Sequence, residues 1–211
     1  MRRMFLGTCT AFGLLAAPAI AADATDVKLG EYLEPANASK YQVSLNLGLG
    51  GYLGQLSDYT NVGPVWGVNV DGNLTRGIGW ELGYNGARNP LTDPRPGATL
   101  PTGEAAWRHG LTAMAKIYAP RMETIRPFAG IGLGAAYINV TDKAEGEFQN
   151  DYIAELPVGA GVELNTASGI SAGVRALYRF QAGEEFAPHT AGGQSPEGGL
   201  LSAAFTLGGS F

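Results

Sequence analysis

From residue 201 to Phe211 the chain alternates without a break. Leu201, Ala203, Phe205, Leu207, Gly209 and Phe211 occupy one set of positions, and Ser202, Ala204, Thr206, Gly208 and Ser210 the other. A period of two sends successive side chains to opposite faces of a strand, so this stretch is a strand with one apolar face and one face of small groups. A carboxylate directly after an apolar-facing Phe is awkward in a soluble core. It suits a strand ending at a headgroup layer among aromatic anchors.

The pattern recurs seven times. Residues 41–53 set Tyr41, Val43, Leu45, Leu47, Leu49 and Leu53 against Gln42, Ser44, Asn46, Gly48 and Gly50. Residues 65–74 set Trp66, Val68, Val70 and Leu74 against Gly67, Asn69, Asp71 and Asn73, and 78–85 set Ile78, Trp80, Leu82 and Tyr84 against Glu81. Residues 107–119 oppose Leu111, Ala113, Ala115 and Ile117 to Thr112, Met114, Lys116 and Tyr118. In 128–137, Ala129, Ile131, Leu133, Ala135 and Tyr137 face away from Gly130, Gly132 and Gly134. Residues 154–164 oppose Leu156, Val158, Ala160, Val162 and Leu164 to Glu155, Gly159, Gly161 and Glu163, and 170–180 oppose Ala172, Val174, Ala176, Tyr178 and Phe180 to Arg175 and Arg179. Counting the last stretch, eight strands are predicted.

Residues 1–21 have a basic start, an acid-free apolar middle and the small-residue end Ala19-Ile20-Ala21, the signature of a secretory signal peptide. The apolar run is shorter than the ~20 residues a helical span requires. Cys9, the one cysteine, leaves with this leader, so the mature chain has neither disulfide nor thiolate metal site. Loss of Arg2 and Arg3 lowers the 14 basic residues to 12 against 19 acidic ones, a formal charge of −7. That balance argues against a nucleic-acid partner, which needs a basic face. With 32 glycines and no further 18-residue apolar window, a helical membrane protein is excluded. Residues 22–40 read as a polar periplasmic lead, with one helical turn around 27–33, and 41–211 as a single barrel domain.

The connections carry a second pattern. Those at 75–77, 120–127 and 165–169 are short, and those at 54–64, 86–106, 139–153 and 181–199 are long and polar. Short periplasmic turns alternating with long outer loops, with an even strand count, are the grammar of an eight-stranded antiparallel up-and-down transmembrane β-barrel. A soluble lipocalin-type barrel would show the same period. Its water-facing side would carry many charges, however, whereas here one face is free of charge and the other is mostly Gly, Ser, Thr and Asn with isolated ions, as a cramped lumen requires. Trp66, Tyr84, Tyr137, Tyr178 and Phe180 fall near the long-loop ends, and Tyr41, Trp80 and Phe211 near the short-turn ends, as two membrane girdles would.

The leader, the eight strands, the stretch from Arg126 to Tyr137 (RPFAGIGLGAAY) and the terminal Phe211 resemble the small outer-membrane barrels of the OmpA and OmpX type. The resemblance spans nearly the whole mature chain and implies insertion in the outer membrane, with members holding structural, adhesive or enzymatic roles. It also implies outer-membrane lipid and lipopolysaccharide as surroundings and recognition by the barrel assembly machinery through Phe211. Larger members add a peptidoglycan-binding domain, which does not follow here.

Strand parity sends Asp71, Glu81, Lys116, Glu155, Glu163, Arg175 and Arg179 into the lumen, where they are expected to pair. A gated ion path is the alternative use of such residues. The two histidines are His109 and His189. His109 lies where a lipid A hydrolase would act, but residues 110 and 111 are Gly and Leu, without the Ser two positions on that enzymes of this shape resemble; Ser57 or Ser195 would have to arrive through a loop. Glu184, Glu185 and His189 share one acidic loop without metal-ligand spacing, and the formal G-x-G-x-x-A match at 130–135 sits inside a strand with no helix to hold a pyrophosphate. The expectation is a monomeric, non-enzymatic barrel with no cofactor and no metal, whose four outer loops meet a surface ligand or host factor. The loop 86–106, with Arg88, Arg95 and Arg108 to meet lipid A phosphates, is the first candidate.

Overall fold

A computed structural model describes residues 29–35, 41–93, 103–119, 124–141, 148–183, 185–187 and 198–211. The leader, most of the lead, Arg95, Glu184, His189 and Ser195 lie outside the described residues. Among those described, eight strands form one closed antiparallel barrel in sequence order: β1 (Tyr41–Gly54), β2 (Gly63–Asn73), β3 (Ile78–Pro90), β4 (Ala105–Tyr118), β5 (Ile125–Val140), β6 (Asp151–Asn165), β7 (Ile170–Ala182) and β8 (Gly198–Ser210). β8 seals the wall against β1 in a register running from Gln42 opposite Ser210 to Gly54 opposite Gly198. Closure leaves no sheet edge, which a hydrocarbon surrounding would penalise.

The alternation lands as the sequence predicts. Leu45, Leu47, Leu82, Leu111, Leu133, Phe205 and Leu207 stand exposed on the outer wall, while Ser44, Asn69, Thr112, Ser171 and Ser202 are buried inside. Glycines on the lumen side let neighbouring backbone come close: a Cβ on Gly48 would run into the Ala203 carbonyl oxygen and the backbone of Ala204. Two outward glycines have a different cause. Gly72 faces Trp80 and Gly86 faces Trp66 across the β2–β3 ladder, and each indole lies over the bare backbone of its glycine.

Several strands run further outward than the alternation alone indicates. β3 and β4 stay paired from Ile78 opposite Ile117 to Pro90 opposite Ala105, so the expected loop 86–106 gives residues 86–90 and 105–106 to the ladder. β5 and β6 likewise absorb the ends of 139–153. The reason is a change of apolar face. In the outer part of the barrel the inward positions turn hydrophobic, and Tyr52, Val65, Ala87, Ala106, Ile138 and Ile153 join Leu56, Phe148 and Phe186 from the connections in one buried cluster. Tyr52 and Phe186 lie 5.5 Å apart between ring centroids. A small water-excluding core therefore closes the barrel at its long-loop end.

At the other end, helix α1 (Leu29–Leu33) and residues 34–35 dock on the β2–β3 turn. Arg76 N–H donates to the Glu34 carbonyl at 3.0 Å, the Thr75 hydroxyl donates to the Tyr32 carbonyl at 2.5 Å, and the Arg76 guanidinium pairs with the Glu34 carboxylate at 3.0 Å.

Candidate functional site

The lumen between the apolar cluster and the short-turn end is filled by ions in two layers. In the lower layer Lys116 on β4 reaches three carboxylates: Asp71, Glu81 at 2.6 Å and Glu163 at 3.3 Å. Arg175 on β7 grips Glu81 from the opposite wall with two parallel bonds of 3.0 and 2.8 Å. Phe128 lies under both cations, its ring centroid 4.6 Å from the Lys116 ammonium and 5.9 Å from the Arg175 guanidinium. The fork of a guanidinium matches a carboxylate in two bonds where an ammonium offers single contacts, so Arg175 sets orientation and Lys116 gathers charge.

The upper layer corrects one expectation. Arg108 is not a loop residue available to phosphates. It points inward from β4, is 1% exposed, and clasps Glu155 through Nε–Oε1 at 2.8 Å and a second contact from Nη2 to Oε2. Its parity matches Lys116 and Thr112, and the predicted strand 107–119 already contained it, so the inward direction follows from the alternation itself. Gln181 donates to Glu155 at 3.2 Å, and Asn85 ties the layers together by donating to Thr112 at 3.0 Å and accepting from Arg179 at 3.2 Å. Arg179 also donates to Ser202 at 2.9 Å.

Asp71, Glu81, Lys116, Glu155, Glu163, Arg175 and Arg179 thus all lie buried inside, with Arg108 as an eighth member. Arg126 is a ninth charged residue, and the fifth cation, at the short-turn mouth, stacked 4.0 Å over the Tyr118 ring and donating to Asn73 at 3.3 Å. Below the lower layer the lumen widens into a cavity of about 470 Å³ lined by Asp71, Asn73, Tyr118, Arg126 and Glu163 among others.

On the outer wall, Trp66, Tyr84, Tyr137, Tyr178 and Phe180 face out towards the long-loop end, and Tyr41, Trp80 and Phe211 towards the short-turn end. Tyr41 contacts both Trp80 and Phe211, with centroids 6.2 and 6.4 Å apart. Two rings absent from the expected upper set join it: Trp107, packed 6.0 Å from Trp66, and Tyr152, 4.7 Å from Tyr137. Arg88 sits 5.6 Å over Trp107 with its guanidinium donating to the Gly103 carbonyl at 3.1 Å. Between the two rows of rings the outward strand positions carry no charge.

His109 belongs to this upper collar. Its Nδ1 lies 2.7 Å from the Tyr84 hydroxyl and the two rings stack at 6.2 Å. No serine is bonded to it among the described residues; Ser57 sits in the connection after β1 and spends its hydroxyl on the Gly54 carbonyl at 2.7 Å. The described residues contain no group of three His, Cys, Asp or Glu placed to hold a metal.

No protein-family model and no curated protein sequence matches the chain. Among solved structures it is similar to Neisserial surface protein A, with TM-score 0.60 and 11% identity over 81% of this chain and 97% of that one. It is also similar to Ail, the attachment invasion locus protein of Yersinia pestis, at TM-score 0.53 and 10% identity over 82% and 99% of the two chains. The outer membrane protein OprG from Pseudomonas aeruginosa matches at TM-score 0.51 and 8% identity over 85% and 98%. At these identities the likeness is one of fold.

Proposed function

We propose that this chain, a small outer-membrane β-barrel of the OmpA/OmpX type, is a closed scaffold with a structural or surface-interaction role carried by its four outer loops. The observation behind this reading is the double closure of the lumen: the ion layers of Lys116 and Arg108 lie beneath the apolar cluster around Phe186. A lumen filled with paired side chains leaves recognition to the outside. His109 holds its Nδ1 against the Tyr84 hydroxyl, the contact of a collar residue. Two proteins of this fold are named a surface protein and an attachment invasion locus protein, which is the class of role proposed here.

In this reading the collar of Trp66, Trp107, Tyr137 and Tyr152 lies at the outer headgroup level, where Arg88 meets lipopolysaccharide phosphate, and the exposed Phe211 is read by the barrel assembly machinery. The barrel acts as a monomer. The test exchanges the outer loops for short turns and measures surface adhesion, lipid A mass and conductance in the same cells and membranes. Lost adhesion with unchanged lipid A and no conductance is expected. A lipid A mass shift that disappears in His109→Ala, or open-channel current, would replace this reading with a catalyst or a pore.

A further inference from the structure

We infer that the cavity at the short-turn mouth binds a small zwitterion of the amino-acid class, independently of any role of the outer loops. At about 470 Å³ it has the volume of a ligand pocket, which spans roughly 300–1,000 Å³. Its lining carries charges of both signs, Asp71 from β2 and Glu163 from β6 against Arg126 from β5. Arg126 and Glu163 stand directly opposite each other on the β5–β6 ladder, which sets their Cβ atoms roughly 5 Å apart. Their charged ends nonetheless turn to other groups. Arg126 stacks on Tyr118 and donates to Asn73, whereas Glu163 gives one oxygen to Lys116, and the cavity touches both.

Free bonding capacity decides the ligand class. Lys116 takes Oδ1 of Asp71 and Oε1 of Glu163, and among the described residues no donor meets the second oxygen of either carboxylate. A guanidinium is a fork of several N–H donors, of which Arg126 gives one to Asn73. An ion of a single sign would be attracted by one part of this lining and repelled by the other. A molecule with an ammonium and a carboxylate on one carbon is met at both ends: the ammonium donates to Asp71 and Glu163, and the carboxylate accepts from Arg126 in charge-assisted bonds. The hydroxyls of Thr166, Ser168 and Ser210 add neutral partners around it. The Lys116 layer lies above the cavity, so the solute is held and not passed on.

The test titrates the full barrel, ¹⁵N-labelled in detergent micelles, with L-alanine, with N-acetyl-L-alanine as the anion alone and with L-alaninamide as the cation alone. L-Alanine should move the amide signals of Thr166, Ser168 and Gly169 to saturation. Each singly charged analogue should bind at least about tenfold more weakly, having lost one charge-assisted contact. Arg126→Gln should make L-alanine bind no better than L-alaninamide. L-Alanyl-L-alanine separates the sources: binding tighter than L-alanine supports a peptide, and weaker binding a free amino acid. No saturable shift with L-alanine, or equal binding of either analogue, would overturn the proposal. An unchanged preference in R126Q would place the ligand elsewhere and overturn it as well. Should R126Q fail to fold, the comparison of the three ligands on the unaltered barrel decides it.

Discussion

Arg108 on β4 and Glu155 on β6 clasp each other inside the barrel over the intervening β5, with side chains 1% and 0% exposed. A pair this deep has little water to fall back on. Its members depend on each other, because removing one leaves the other charged and dry.

Arg108→Met should therefore destabilise the barrel by about 3–5 kcal/mol, and Arg108→Met combined with Glu155→Met should recover most of that loss. Urea unfolding of the single and double variants measures the difference. A double variant no better than the single would show that the pair is not the interaction at stake.

The β1–β8 seam closes over Gly48, which stands opposite Ala204. A side chain there meets backbone, not a movable group, so Gly48→Val should cost about 1–3 kcal/mol and lower the folded fraction after refolding. Gly30→Ala, with open space around the added carbon, is the neutral control. Gel mobility of unheated samples separates folded from unfolded barrel for both.

Leu133, 70% exposed in the middle of β5, distinguishes lipid from water outside the wall. Leu133→Arg should cost about 2–4 kcal/mol for folding into phospholipid vesicles. On a water-facing surface the same change would stay within about 0.5 kcal/mol. Equilibrium folding into vesicles gives the number.

Phe186 fills the centre of the outer apolar cluster against Tyr52. Phe186→Ala should destabilise by about 3–5 kcal/mol. Planar-bilayer recordings of the same variant should stay silent, since the Lys116 and Arg108 layers still close the lumen below. Steady current in this single variant would mean that the ion layers yield to permeation.

Phe211 is 76% exposed, and its N–H donates to the Tyr41 carbonyl at 3.0 Å. That bond survives any side chain at position 211. Phe211→Asp should thus leave in vitro refolding within about 0.5 kcal/mol while reducing assembly in cells, the outcome that the proposed reading of the ring by the assembly machinery requires. Equal outer-membrane levels of the two proteins in cell fractionation would exclude that role.

Strand number, order and facing were legible along the chain because a period of two is local: Leu45, Leu82, Leu133 and Phe205 need no knowledge of their neighbours to point outward. The inward direction of Lys116, Glu155 and Arg175 was legible for the same reason. Arg108 was misplaced although the predicted strand 107–119 already held it at the parity of Thr112 and Lys116, because it was grouped by charge with the arginines of the neighbouring loop. Beyond Tyr84 and Tyr137 the apolar residues move to the inner face, as in Ile138 and Val140, and a reading that follows the greasy side stops there. Tyr152 escaped the expected collar through the same early stop, whereas Trp107 lay inside the predicted strand 107–119 and was assigned to neither face.

The alternation by itself determined a barrel with an apolar wall and a polar lumen, since each strand states its own two faces. Only the tertiary structure decided which inward charges meet. Arg108 and Glu155 stand 47 residues apart, and Arg175 and Glu81 94 apart. Such meetings depend on the register of every ladder between them. A shift of one residue in any ladder would change the height of each charge and turn its side chain to the lipid. Pair identity is therefore a property of the closed barrel.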